Sequence, residues 1–170
     1  MTSRTDYRLL ELRGTLSHDG VPQISGYAWD SPQALALVKA AAGGDAELIR
    51  NEGPERFDVL PLLVATDGAI AHMRFDGRRF RPNIVIGGVE GLAERQWPGC
   101  RLRAATVVIQ AAQLRSRCVM TTYDPDTLKQ DLNVLKRIVK ELGGTMALDS
   151  SVIAGGLLEE GAPVTLDPPD

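Results

Sequence analysis

The chain has 170 residues, of which 44% are hydrophobic and 24% charged, enough for one domain with a short extension and a substantial apolar core. No apolar run reaches the roughly 18 residues of a membrane-spanning helix, and the opening MTSRTDYRLLELRG lacks the apolar segment of a secretory leader, so a cytoplasmic protein is expected. Two cysteines, Cys100 and Cys118, with no Cys-x-x-Cys and only His18 and His72 beside them, argue against a disulfide framework or a four-ligand zinc site.

In chain order, SPQALALVKAAA (31–42) reads as a helix, capped by Ser31, with Pro32 in its first turn and Gly43-Gly44 at its end. FDVLPLLVAT (57–66), NIVIGG (83–88), RLRAATVVIQAAQL (101–114) and RCVMTTY (117–123) read as strands, punctuated by Gly, Pro and Asp. Asp124 before Pro125 suits a turn made by its own side-chain hydrogen bonds. A second helix is expected over 127–142, where Leu128, Leu132, Leu135, Ile138, Val139 and Leu142 follow helical spacing before Gly143-Gly144. The tail VIAGGLLEEGAPVTL (152–166) reads as strand again, and DPPD as a loose end over 167–170. Several short strands with two helices suggest a closed or nearly closed β-barrel carrying its helices outside.

The net charge of −3 is unevenly spread. From Arg74 to Arg117 there are nine arginines against Asp76, Glu90 and Glu94, so this segment carries +6 and the remainder −9. A basic middle in an acidic chain suggests a local anion site. Aromatics at 5% and the absence of a basic helix or RNA-binding motif argue against nucleic acid.

In RRFRPNIVI (78–86), extended backbone would set Arg79 and Arg81 on one face and Phe80 on the other, with Asn83 a step further along. Paired guanidiniums suit phosphate or carboxylate, and a neutral amide suits a heterocycle edge. The alternative is a solvated arginine face with Asn83 in a turn. Cys118 follows Ser116 and Arg117, with Arg115 nearby. Those cations would favour the thiolate, the form that binds metals and carries sulfur, while Ser116 offers a hydroxyl and an N–H to an anion. The alternative is an inert core cysteine. Cys100, in WPGC, has only Arg101 for comparable company.

Three stretches carry a family resemblance: RFRPNIVIGG (79–88), EGLAERQW (90–97) and RCVMTTYDPDT (117–127). The sequence resembles the MOSC domain, the module named for the C-terminal part of molybdenum-cofactor sulfurases and found in amidoxime-reducing enzymes and bacterial relatives. FDVLPLLVATDGAI (57–70) is similar to the strand and turn that precede the signature. G-x-x-x-x-G-A-P-V (156–164) is similar to its closing strand, with Ala162 where Asp is usual. The resemblance covers about residues 57–166 and implies a mainly β, α+β fold: a MOSC-like β-barrel with two or more peripheral helices. Residues 1–56 are then an extension packed on the barrel, the opening of a compact, free-standing version.

The resemblance further implies that Cys118 ligates the metal of a molybdenum cofactor (molybdopterin) and is the catalytic residue. It assigns Arg81, Asn83 and Arg79 to the pterin and its phosphate, Ser116 and Arg117 to the cofactor beside the sulfur, and Thr66 and Asp67 to further polar contacts. Thr121 and Tyr123 are expected to be structural. The implied activity is reduction of N-hydroxylated compounds, with electrons from an external electron-transfer protein, because no flavin, haem or iron–sulfur motif is present. The alternatives are a non-enzymatic persulfide carrier, a protein that holds the cofactor between donor and acceptor proteins, and a member that has lost the cofactor and serves in assembly.

Overall fold

The computed structural model describes residues 3–51, 53 and 57–169. It divides into two units: Met1–Gly53 with Tyr123–Gln130, and Pro54–Thr122 with Asp131–Asp170. The expected boundary near residue 56 lies outside the described residues. The Asp-Pro turn and the start of the expected second helix group with the N-terminal part of the chain rather than with the core.

The first unit holds a three-stranded antiparallel sheet, β1 (Gly14–Leu16), β2 (Pro22–Ile24) and β3 (Tyr27–Ala28), followed by α1 (Pro32–Ala42). Ser31 caps α1 as expected, its Oγ accepting from the Ala34 N–H at 3.1 Å, and Ala34 and Val38 are the buried face. Asp124 folds its own turn: Oδ1 accepts the N–H groups of Asp126 and Thr127 and the Thr127 hydroxyl. Tyr123 stacks on Tyr7 at 5.4 Å between ring centroids.

The second unit is built on a six-stranded sheet. Its strands are β4 (Leu62–Thr66), β5 (Ile84–Ile86), β6 (Arg101–Ala104), β7 (Val107–Ser116), β8 (Thr145–Ala154) and β9 (Thr165–Asp167), in the order β5-β4-β8-β7-β6-β9. Only β4 and β5 are parallel. Among the described residues the edge strands β5 and β9 do not pair, so the closed or nearly closed barrel expected takes its open form, a curled half-barrel with its helices outside. Irregularities at three points of the β7–β8 ladder impose the curl. One is at Ala147, whose φ of 64° is left-handed. It reverses the alternation of β8, so that Met146 and Leu148, two residues apart, enter opposite cores.

On one side, Met146 packs with Phe80, with Ala69 and Met73 of α2 (Asp67–Met73), and with Val134, Ile138 and Leu142 of α3 (Leu132–Leu142). On the other, Val64, Leu102, Val107, Ile109, Ala111 and Leu148 line the curl. The second helix starts at 132, not 127, because Asp131 caps it by accepting from Asn133 N–H at 2.9 Å. It ends as expected at Gly143, in left-handed backbone, with the Gly144 N–H returning to the Ile138 carbonyl.

Other expectations are corrected. A helix, α2, stands where only a turn was expected, because Thr66 caps it. The 101–114 run is a hairpin, turned at Ala105 with φ of 50°. β8 begins at Thr145 rather than 152, and 155–164 forms no strand. β9 runs one residue into the stretch expected to be loose, where Asp167 pairs with Arg103.

Gly68, at the start of α2, is where helix and loop approach most closely: a Cβ there would lie 2.1 Å from the Val89 carbonyl oxygen and 2.6 Å from that of Gly91. Both obstacles are backbone. Gly68→Ala should cost about 2 kcal/mol or more in urea unfolding; an unchanged midpoint and slope would contradict this packing.

Candidate functional site

The two halves of the signature do not form strands where the arginines and the cysteine lie. Gly77–Phe80 is a 3₁₀ turn, capped by the Asp76 carboxylate, which accepts from the Arg78 N–H at 2.9 Å. The Arg78 guanidinium and N–H together hold the Asp76 carboxyl below the usual range. Arg81 closes this turn in left-handed backbone (φ 54°, ψ 44°), a conformation that costs a non-glycine residue energy and is unusual before a proline. The extended geometry that would have aligned Arg79 with Arg81 is therefore absent.

Past the end of β7, Val119–Thr122 is a second 3₁₀ turn. Its threonines explain why an apparent strand coils: Thr121 Oγ1 donates to the Cys118 carbonyl at 2.9 Å, and Thr122 Oγ1 to the Val119 carbonyl at 2.6 Å. Such local bonds compete with a ladder. Cys118 thus sits between strand and turn, partly exposed, while Cys100 is buried.

Arginines exchanged between the turns hold them together. Arg79 Nη1 donates to the Thr122 carbonyl at 2.9 Å, and Arg117 Nη2 donates to the Phe80 carbonyl at 2.5 Å. The Arg117 N–H also donates to the Gly144 carbonyl, tying the cysteine segment to the end of α3. Arg79 is in this way a strut between motifs, not simply a wall of the site.

Arg81, Arg117 and Cys118 are electrostatically coupled. Burial pushes Arg117 down to about 10, with Arg115 and Arg81 adding repulsion and charge on Cys118 and Asp149 opposing it. Burial likewise lowers Arg81, and charge on the Cys118 sulfur offsets part of that. Arg117 Nε is buried without a hydrogen-bond partner, and the Arg81 guanidinium has none among the described residues. Arg115, by contrast, is engaged by Asp149 and Asp58.

Asn83 has a structural duty: its N–H donates to the Leu63 carbonyl and its Oδ1 accepts the Leu63 N–H, each at 2.8 Å, which adds a rung below the β4–β5 pairing. Asn83 is exposed, and its Nδ2 has no hydrogen-bond partner among the described residues. Ser116 is exposed at the last position of β7. Thr66 is fully buried, accepting from Ala69 N–H and donating to Glu94, both at 3.1 Å. Asp67 organises the loop after β5, accepting the N–H groups of Gly68, Gly88 and Val89. Those of Val89 and Gly88 chiefly hold its carboxyl below the usual range. The structure thus gathers Cys118, Arg81, Arg117 and Arg79, and engages Thr66 and Asp67 in helix and loop construction.

Sequence reasoning missed Glu94. It is 1% exposed, and burial raises its carboxyl above the usual value, opposed by its own backbone N–H and the Thr66 hydroxyl. Its place beside Arg95 and Gln96 gives no sign of burial. Among the described residues no cluster of three or more His, Cys, Asp or Glu gathers to hold a metal, and no helix is long and apolar enough to cross a membrane.

With this arrangement in view, comparison with known proteins is direct. The family model of the MOSC domain matches residues 62–165, and the chain belongs to the MOSC domain family. The human mitochondrial amidoxime reducing components 2 and 1 are each 34% identical over 89 residues, covering 46% of this chain and 26% of the relative. The match thus spans about a quarter of the length of these curated relatives. Among solved structures, YiiM from Geobacillus stearothermophilus superposes with a TM-score of 0.48 at 19% identity, and YiiM from Escherichia coli with 0.45 at 23%. Each superposition covers 62% of this chain and 53% of the other.

A raised carboxyl pKa means that stability is full below the unfolded value of about 4.5 and is lost as pH rises through the folded value. Glutamine has the shape of the protonated acid and does not titrate. Glu94→Gln should gain stability on the wild type as pH is raised from 4.5 to 8 in urea melts, and a constant difference would contradict the assignment.

Proposed function

We propose that this domain binds the molybdenum cofactor, molybdopterin, with Cys118 as the protein ligand to the metal, and that it reduces N-hydroxylated compounds with electrons from an external electron-transfer protein. The observation that carries the reading is one accessible sulfur coupled to two guanidiniums, one of which has a buried, unpartnered Nε. An anionic cofactor would supply what that Nε lacks, since a buried charged donor without an acceptor is costly.

The donor set suits such a group. A single thiolate is one soft ligand, adequate for a metal that brings its own pterin dithiolene. Bound there, the cofactor supplies a metal that can take an oxygen atom from a substrate. The chain's residues bind and orient. Cys118 would hold the metal from a fixed backbone, because the N–H and Oγ1 of Thr121 both donate to its carbonyl. Arg117 and Arg81 neutralise phosphate charge, Asn83 Nδ2 offers a neutral donor to the pterin edge, and Ser116 offers a hydroxyl beside the sulfur. Arg79 keeps the two turns in register. Asp67 shapes the adjoining loop by gathering its N–H groups, and Thr66 anchors α2 beneath it. The names of the human relatives, which describe amidoxime reduction, support the substrate class.

A second reading is favoured by the partial exposure of Cys118. In it, Cys118 carries a persulfide sulfur, or the domain holds the cofactor in transit between proteins. Mass measurement without reductant separates the two, since a reducible gain of one sulfur marks the carrier.

Metal and pterin analysis of protein purified from molybdate-supplied cells provides the main test. Cys118→Ala should abolish retained molybdenum and turnover with an amidoxime. Arg81→Ala should weaken cofactor retention roughly 10- to 100-fold, the range of a lost charge-assisted hydrogen bond. Metal retained and turnover preserved in Cys118→Ala would refute the assignment.

A further inference from the structure

The half-barrel contains a hollow of about 560 Å³ that shares only Asn83 with the residues of the cofactor reading. Its floor is aliphatic: Ile84 and Ile86 on β5, Leu102 on β6, and Val107 and Ile109 on β7. β5 stands at one edge of the sheet, separated from β6 by three other strands, so the curl itself encloses the space between them. Residues 158–164 line the hollow without forming a strand, and the two larger apolar side chains there, Leu158 and Val164, remain exposed rather than filling it. Protein interiors pack to the density of organic crystals. An aliphatic hollow of this size falls in the range of small-molecule sites, about 300–1,000 Å³.

Its charge indicates what enters. Glu159 and Glu160 line the mouth, both exposed, and neither has a cationic partner among the described residues. The one basic side chain there, Arg103, is neutralised by Asp167. The rim is therefore net acidic over an apolar floor, opposite in sign to the Arg81–Arg117 wall. The hollow therefore adjoins the proposed cofactor site at Asn83, which lines it, and differs from that site in the sign of its charge.

We propose that this hollow is a second ligand site, which binds a small organic cation with an apolar body, such as an aryl-alkyl ammonium compound. The aliphatic floor holds the body by burial, and the two carboxylates at the mouth hold the charged end. The proposal goes beyond the cofactor reading and stands or falls separately from it.

Titration calorimetry on the full chain at low ionic strength and pH 7 tests it with three probes of matched body: 4-phenylbutylamine, 4-phenylbutanol and 4-phenylbutyrate. The amine should bind saturably and roughly fivefold or more tighter than the butyrate, with the alcohol between them. Glu159→Gln with Glu160→Gln should remove the preference and leave the alcohol's affinity unchanged. Ala162→Trp should weaken all three. Absence of saturable amine binding, equal affinities for amine and butyrate, a preference that survives the double substitution, or Ala162→Trp leaving binding intact would each overturn the proposal. None of these outcomes bears on molybdenum retention.

Discussion

The site depends on an exchange of arginines between two short turns. Arg79, from the first half of the signature, donates to Thr122 in the second, and Arg117, from the second, donates to Phe80 in the first. The bonded residues are 43 and 37 positions apart, so neither turn could find the other by local folding. Carbonyl groups at the ends of 3₁₀ turns lack intrahelical partners, and guanidinium is well suited to reach them with several donors at once. Without this exchange, Cys118 and Arg81 would belong to separate loops.

The same exchange resolves a cost in charge. A segment of nine arginines invites self-repulsion, yet most of them are spent internally. Arg78 pairs with Asp76, Arg103 with Asp167, and Arg115 with Asp149 and Asp58, while Arg95 donates to the carbonyls of Thr145 and Leu142. Two others stand near one sulfur: Arg81, with no hydrogen-bond partner for its guanidinium among the described residues, and Arg117, partly used and partly orphaned. Burial weakens the hold of both on their protons, and charge on the sulfur offsets part of that. The strain of left-handed backbone at Arg81 belongs to the same picture, a cost that persists only where surrounding structure enforces it.

Much of this was legible in the sequence because helix ends announce themselves. Ser31, Gly43 and Gly143 stand where the helices start and stop. The signature residues likewise pointed to Cys118, Arg81 and Arg117 as one group. Strand patterning was less reliable. Thr121 and Thr122 look like strand residues, yet their hydroxyls fold the chain back on itself. β8 was half hidden because its buried stretch includes Asp149 and Ser150, which are satisfied by Arg115 and by the Leu148 carbonyl, and because Ala147 breaks its alternation. Glu94 was invisible for a related reason: burial of a carboxyl depends on a hydroxyl 28 residues away. Openness of the half-barrel is a global property that no local pattern states.

The central claim is that guanidiniums face the Cys118 sulfur, and the most direct measurement compares its alkylation by an anionic and a neutral reagent. With Cys100 buried, iodoacetate and iodoacetamide both report on Cys118. Their rate ratio cancels the fraction of sulfur that is ionised and leaves the local field. The ratio of iodoacetate to iodoacetamide should exceed that of a short cysteine peptide and fall toward the peptide's value in Arg81→Ala. A ratio equal to or below that of the peptide in the wild-type protein would contradict the account.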